Sequence, residues 1–358
     1  MLTNIQTDNL IELLRTDSPS GQENQVCDYI KKRLQNSCNV YTDVIGNTYM
    51  QTGNEDGLKI MITSHCDEVS FQVTKIDENG FVNIRKVASP DRQTIAGEKV
   101  VLVGKGIKCV GVIGKKSPHV MQKEEAKEVP EVANLWVDFG FTSYSEANNI
   151  VNIGDYLVPY SEPMISFNKT KVISKALDNK ISIFILTELM DLLAKEDLSV
   201  SVTGIATVQE ELGCRGAIVA SHRISPDVAF CLDVGIATDI PSMSTITEFG
   251  HLKLGAGPGI NINPENNPYL TTLLNNVAKD GKICVQNTIG YRPVHGTETG
   301  HIQLSNIGVA TALISIPNRY MHSPVEMCDT TDVCNAIQLL FNSIKKMQEL
   351  KKLSLIPW

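Results

Sequence analysis

Three apolar runs in this 358-residue chain break off at groups able to bind cations. Residues 58–63 run into Ser64-His65-Cys66-Asp67-Glu68, residues 200–208 into Gln209-Glu210-Glu211, and residues 228–232 into Asp233. Short apolar runs of this kind predict buried strands. A helical pattern over 181–193 alternates with them, which predicts an α/β sheet covered by helices. In open α/β sheets, ligands collect beyond the carboxyl ends of the strands. The same residues therefore constrain both the architecture and the chemistry.

The rest of the chain extends this pattern. Residues 5–14 have apolar positions at helical spacing, and a second helix is predicted over about 23–34. Ser20 and Glu23 have the spacing of a capping box at its start. Strands are predicted at 40–44, 48–52 and 309–316, and a long closing helix at 332–353, with Lys345, Lys346, Lys351 and Lys352 near its C-terminal end. Between about 69 and 163 the character changes to short β-rich runs punctuated by Gly80, Gly97, Gly104, Gly106, Gly111 and Gly114, with a loop and a helix over about 122–149. That spacing predicts a small β domain or barrel inserted into the α/β domain.

Composition narrows the class. Lys and Arg number 32 against 40 Asp and Glu, a net charge of -8, which argues against a nucleic-acid partner. No stretch approaches the ~18 consecutive apolar residues of a membrane span, and the N-terminal stretch lacks the basic start and apolar core of a secretory signal. Nine cysteines without a CxxC pair read as free thiols of a reducing compartment, so the expected location is cytoplasmic.

The strand-end donors are joined by two in turns, Asp178 of Lys175-Ala176-Leu177-Asp178-Asn179-Lys180 and His322 of Tyr320-Met321-His322-Ser323-Pro324. Imidazoles with carboxylates and no required thiolate suit Zn²⁺, Co²⁺ or Mn²⁺ in a hydrolytic site better than a structural Cys₄ zinc. Two such ions ~3.5–4 Å apart can clamp a water and polarise a carbonyl. One of Glu210 and Glu211 can then bind metal while its neighbour serves as general base. A bend past the strand, with Gly213 nearby, would aim both into one cleft. Asp67 can accept the second ring N–H of His65. Taken singly, each residue has a plainer explanation: a solvated helix start, a helix cap, a turn aspartate, a surface histidine. Independent plain explanations for all of them are hard to sustain together. There is no GxSxG elbow and no HExxH, and Gly255-Ala256-Gly257-Pro258-Gly259 reads as a turn near the site.

The ordered motifs SHCDEVSF at 64–71, KALDNK at 175–180, VQEELGCRGA at 208–217, DVG at 233–235, GAGPGI at 255–260, GTETG at 296–300 and YMHSPVEM at 320–327 carry a family resemblance. The chain resembles the co-catalytic metallo-aminopeptidases that include glutamyl aminopeptidase, the TET aminopeptidases and FrvX-type proteins, some of which bear an endoglucanase label. The resemblance implies an α/β fold with a mixed-sheet catalytic domain of the zinc-exopeptidase type, formed by 1–68 and 164–358. The inserted segment 69–163 would be a PDZ-like or barrel-like β domain that dimerises. Asp178 is implied as the bridging ligand of two divalent ions, Zn²⁺ first and Co²⁺ or Mn²⁺ as alternatives. His65 and Asp233 would complete one site, and Glu211 and His322 the other. Glu210 is implied as general base and Asp67 as the partner orienting His65. Peptide substrates, and dimers assembling to a dodecamer, are further expectations.

Two positions depart from the family pattern: Asp178-Asn179-Lys180-Ile181-Ser182 stands where Asp-Asp-Arg-x-Gly is usual, and Gly296-Thr297-Glu298 where Gly-Thr-Asp is usual. Lys cannot copy the bidentate fork of Arg, and the longer Glu298 reshapes its surroundings. The expected activity is removal of N-terminal residues from peptides. An N-acyl amino acid or small-amide hydrolase on the same metals, and a non-catalytic assembly protein on the same scaffold, are the alternatives. A cellulase is a poorer fit, with nothing placing two carboxylates as a glycosidase pair and two tryptophans for sugar stacking.

Overall fold

The structure, a computed structural model, describes residues 2–104, 106–123, 127–241, 243, 250–290, 296–349 and 355. Helix α1 (Asn4–Leu14) starts where Thr3 and Gln6 close a reciprocal capping box, and it buries Leu10, Leu13 and Leu14. Helix α2 (Asn24–Leu34) has no such cap, contrary to the expected Ser20–Glu23 box. Ser20 instead donates to Asp67 Oδ2 at 2.6 Å, and Glu23 Oε1 accepts from the Gly21 and Gln209 amides at 2.7 and 3.2 Å. Tertiary partners thus outcompete the local ones.

Strands β1 (Asn39–Thr42), β2 (Thr48–Gly53) and β3 (Lys59–His65) follow. The chain then leaves for the inserted segment: β4 (Ser70–Ile76), β5 (Val82–Val87), α3 (Arg92–Ile95), β6 (Lys99–Leu102), β7 (Val110–Gly114), β8 (Trp136–Asp138), α4 (Tyr144–Asn148) and β9 (Tyr156–Pro159). Its six strands close in the order β4-β5-β8-β7-β6-β9, so the β-rich segment is a barrel. Phe71, Val73, Ile84, Leu102, Val137 and Leu157 fill it as a core of its own. Gly111 and Gly114 do not mark turns, because both lie within β7, where a Cβ on Gly114 would meet the Trp136 indole.

The chain returns through β10 (Met164–Ile165), β11 (Lys171–Ser174), α5 (Leu177–Leu193), β12 (Ser201–Thr207), α6 (Arg215–Ile224), β13 (Val228–Ile236), β14 (Gly259–Asn261), α7 (Pro268–Gly281), β15 (Gln286–Thr288), α8 (Glu298–Gln303), β16 (Ala310–Asn318), β17 (Glu326–Asp329) and α9 (Thr330–Gln348). The continuation of the closing helix towards 353, with Lys351 and Lys352, lies outside the described residues. Eight strands form one mixed sheet in the order β1-β2-β12-β3-β13-β16-β14-β15. Helix α5 is apolar on nearly all sides and is buried against this sheet, as its composition requires.

Register does the positioning. Strands β12, β3, β13 and β16 are parallel, with Thr207 beside His65, Cys231 beside Thr63 and Asp233 beside Ser315. The donors that follow β12, end β3 and lie in β13 therefore emerge at one edge. A separate sheet, β10-β11-β17, pairs Ser174 with Glu326 and so lays the 320–327 motif against the loop carrying Asp178.

Candidate metal centre and substrate cleft

His65 is the last residue of β3 and is 2% exposed. Its Nε2 lies 3.1 Å from Asp178 Oδ1, 3.6 Å from Asp233 Oδ1 and 4.0 Å from Glu210 Oε2. The second oxygen of Asp178 lies 3.2 Å from His322 Nε2, which is also 3.2 Å from Glu211 Oε1. Asp178 thus divides its carboxylate between two imidazoles. Two donor groups result, His65–Asp178–Asp233 and Asp178–Glu211–His322, each with its ligand atoms within 4.8 Å of one another.

The local backbone explains how each side chain arrives. Ala176 is left-handed (φ 54°), and Asp178 and Asn179 depart from helical dihedrals, so Asp178 stands free of α5 at its entry. The bend that turns both glutamates into the cleft comes before them, at Gln209 (φ 54°), and a second follows at Gly213 (φ 102°). Asp67 has a wider role than the sequence implied. Its backbone carbonyl and Oδ1 lie 3.2 and 3.4 Å from His65 Nδ1. Its carboxylate also accepts the Glu210 and Glu211 amides at 2.9 and 3.2 Å and the Ser20 hydroxyl. One buried carboxylate holds together two strand-end segments and the turn between α1 and α2.

Some supporting residues escaped the sequence reading, and two others entered it only as departures from the family pattern. Glu326 accepts the Asp178 amide at 2.7 Å and the His322 amide at 2.9 Å, fixing donors that lie far apart in sequence. Its motif was noted, but nothing local marks it as a clamp. Ser89, between β5 and α3, presents its carbonyl to His322 Nδ1 at 2.9 Å, so the barrel side of the molecule sets that ring. Lys180, at a departure from the family pattern, reaches Glu68 Oε1 and the Thr16 carbonyl, both at 2.7 Å. Glu298, the other departure, is buried under the cleft against the Thr207 hydroxyl, and burial pushes its carboxyl up to about 7.

Electrostatics show what the site demands. Burial alone would depress both imidazoles, but the carboxylates win: Glu210, Asp178, Asp233 and Asp67 hold His65 well above the ordinary histidine range, and Asp178 and Glu211 push His322 up to about 12. Burial opposes ionisation of Asp178, yet the two imidazoles hold its carboxyl well below the usual range. Desolvation, with the neighbouring Asp233 and Glu211 charges, drives Glu210 well above it. Asp178, Asp233, Glu210 and Glu211 converge here, and no Lys or Arg is among the described residues lining the cleft. A site with this surplus of acidic oxygen and two imidazoles fits divalent cations of the Zn²⁺, Co²⁺ or Mn²⁺ type.

The donors open into a cleft of about 440 Å³ between the sheet edge and the segment at Ser89. Among the described residues no helix is long and apolar enough to cross a membrane. All nine cysteines are free.

A mixed α/β sheet, a closed six-stranded barrel and a His–carboxylate cleft at the strand ends accord with the aminopeptidase class of peptide hydrolases, which the family and structural matches support for this chain. Residues 46–339 match the M42 glutamyl aminopeptidase family, and the chain belongs to that family. It is 31% identical over 306 residues to the lysyl aminopeptidase of Pyrococcus furiosus, covering 84% of each chain. The TET aminopeptidase of a marine-sediment thaumarchaeon superposes with a TM-score of 0.91 at 30% identity, covering 96% of this chain and 97% of that one. The Pyrococcus horikoshii TET1 peptidase, which can assemble into a tetrahedron or a large octahedral shell, superposes at 0.84 with 26% identity over 94% and 98% of the chains.

Proposed function

We propose that the chain is a dinuclear metallo-aminopeptidase that removes N-terminal residues from peptides. The observation that carries this reading is the divided carboxylate of Asp178, one oxygen on His65 and the other on His322. In this arrangement His65, Asp178 and Asp233 would hold one divalent ion, and Asp178, Glu211 and His322 the other. When bound, two divalent cations supply Lewis acidity to the scissile carbonyl and acidify a water. Glu210 accepts the proton of the attacking water on its carboxylate and returns it to the nitrogen of the leaving amine. Burial, with the neighbouring Asp233 and Glu211 charges, raises the proton affinity of Glu210 above the ordinary carboxyl range, the direction a general base requires. Asp67 is a positioning residue, fixing the backbone of Glu210 and Glu211 and the ring of His65.

Zn²⁺ is the first expectation for the metal. Residues 1–68 with 164–358 form the catalytic domain, and 69–163 the domain through which subunits pair into dimers and a dodecamer, in a cytoplasmic enzyme. The deciding experiment measures hydrolysis of free and N-acetylated peptides with Zn²⁺, Co²⁺ or Mn²⁺, alongside metal content. Glu210→Gln is expected to keep its metals and lose roughly 100- to 10,000-fold in turnover. Near-full turnover by that variant would remove Glu210 as base, and cleavage confined to acetylated peptides would replace the aminopeptidase with a deacylase.

A further inference from the structure

The rim of the barrel beside the donor cluster carries an uncommitted cation. Strand β4 starts at Ser70, shortly after His65, and its Phe71 pairs with Lys86 of β5. Val82, Ile84 and Lys86 lie on one side of β5 by the alternation of a strand. The first two are buried in the barrel core, whereas Lys86 is exposed at its rim. Just beyond it the chain bends at Ala88 (φ 67°) and presents the Ser89 carbonyl to His322 Nδ1. The Asp91 amide donates to the His322 carbonyl at 3.0 Å, which fastens the rim to the donor cluster at a second point. Ser89 lines both the cleft and an adjoining hollow of about 300 Å³, bounded by Lys86, Asp91, Arg92 and Val129. The other charges of the hollow are engaged: Arg92 pairs with Glu131, and Asp91 Oδ1 accepts the Gln93 amide at 3.0 Å to cap α3. Lys86 has no hydrogen bond or ion pair among the described residues. The surface therefore changes sign across Ser89, from the carboxylates of the cleft to a free ammonium.

We propose that Lys86 binds the C-terminal carboxylate of short peptides, so that the inserted barrel favours substrates of about three or four residues with a free carboxyl end. The proposal rests on the aminopeptidase reading above. A short peptide carries an ammonium at one end and a carboxylate at the other, and the change of sign across Ser89 matches that pair. The first residue occupies the wall formed by β13, β14 and β16, and the remainder leaves across the Ser89 rim. Each residue beyond the scissile bond adds roughly 3.3–3.6 Å of extended chain, so two or three of them span roughly 7–11 Å. Lys86 precedes Ser89 by three residues, at most roughly 11 Å of chain. Its flexible stem takes up the difference between the two lengths. A peptide amide of the same sequence fills the same space but offers the ammonium no charge.

The test compares kcat/KM for Leu-Ala-Ala and Leu-Ala-Ala amide in the wild type, Lys86→Gln and Lys86→Glu, with circular dichroism as the check on folding. Both peptides share the scissile bond and the first residue, so their ratio isolates the carboxylate. The free acid is expected to exceed the amide by about two- to fivefold, as for one solvent-exposed ion pair, and mainly through KM. Lys86→Gln should bring the ratio close to one, and Lys86→Glu should invert it. A wild-type ratio at or below one, or a ratio unmoved by both substitutions, overturns the proposal. Absence of turnover on both peptides is a failure of the aminopeptidase reading, and a binding arm then decides this one. Calorimetry measures both peptides against zinc-loaded Glu210→Gln, with and without Lys86→Gln. Tighter binding of the acid that is lost with Lys86→Gln supports the proposal, and equal binding, or binding of neither peptide, overturns it.

Discussion

Replacing Glu68 by Gln tests the buried charge network behind the donor cluster. Glu68 is 1% exposed and accepts Lys175 Nζ at 2.8 and 2.9 Å, Lys180 Nζ at 2.7 Å and the Ser18 amide at 2.9 Å. Burial opposes its ionisation, but the two lysines hold its carboxyl down at about 2, against an ordinary 4.5. A carboxyl depressed on folding contributes stability that is present above the ordinary value and lost as pH falls through the folded one. The size of this shift corresponds to about 3 kcal/mol. Breaking a buried pair by removing one partner costs about 3–5 kcal/mol, so the two routes agree.

Lys175 retains Asp17 at 2.9 Å in the variant, whereas Lys180 is left with the Thr16 carbonyl. Desolvation already pulls Lys180 below the ordinary 10.5, and losing Glu68 takes it further down. The unfolded chain then binds more protons, so the penalty in Glu68→Gln should shrink as pH is raised towards that ordinary value. Urea unfolding followed by far-ultraviolet circular dichroism, at several pH values from about 6 to 9, measures both effects. A loss below about 1 kcal/mol near neutrality, or a loss that is flat across this range, would refute the reasoning.

Asp67→Asn should lower metal affinity about 10- to 100-fold, read by competition with a chelating indicator, because it weakens the hold on His65, Glu210 and Glu211 together. Unchanged affinity would leave Asp67 without a positioning role. Asp332 accepts the Gly255 and Gly257 amides at 2.8 and 2.7 Å, yet burial pushes its carboxyl up to about 6 from an ordinary 3.8. A carboxyl raised on folding makes stability fall as pH rises between those two values. The wild type should therefore lose about 3 kcal/mol relative to Asp332→Asn across that window, and parallel unfolding curves would contradict the assignment.

Much of the site was legible because its signals are local. An apolar run that stops at His65, at Glu210 and Glu211, or within reach of Asp233 advertises both a buried strand and a donor at its end. The helix over 4–14, the long apolar α5 and the β-rich insertion follow from periodicity and composition in the same way. The Ser20–Glu23 spacing misled for the complementary reason: a capping box is a local preference, and Asp67 and Gln209 offered those side chains better partners from elsewhere in the chain.

What the tertiary structure alone decided is which donors meet. His65 and Asp178 are 113 residues apart, and their contact depends on the parallel register of the sheet and on the separate β11–β17 pairing. The Glu326 clamp, the Ser89 carbonyl behind His322 and the Lys180–Glu68 pair arise from the same long-range pairings. Residue type and spacing set which groups can bind a cation and which segments bury themselves, because those properties belong to a few adjacent residues. Distance between side chains remote in sequence is set by strand register and by closure of the chain around its core, and these are properties of the whole fold.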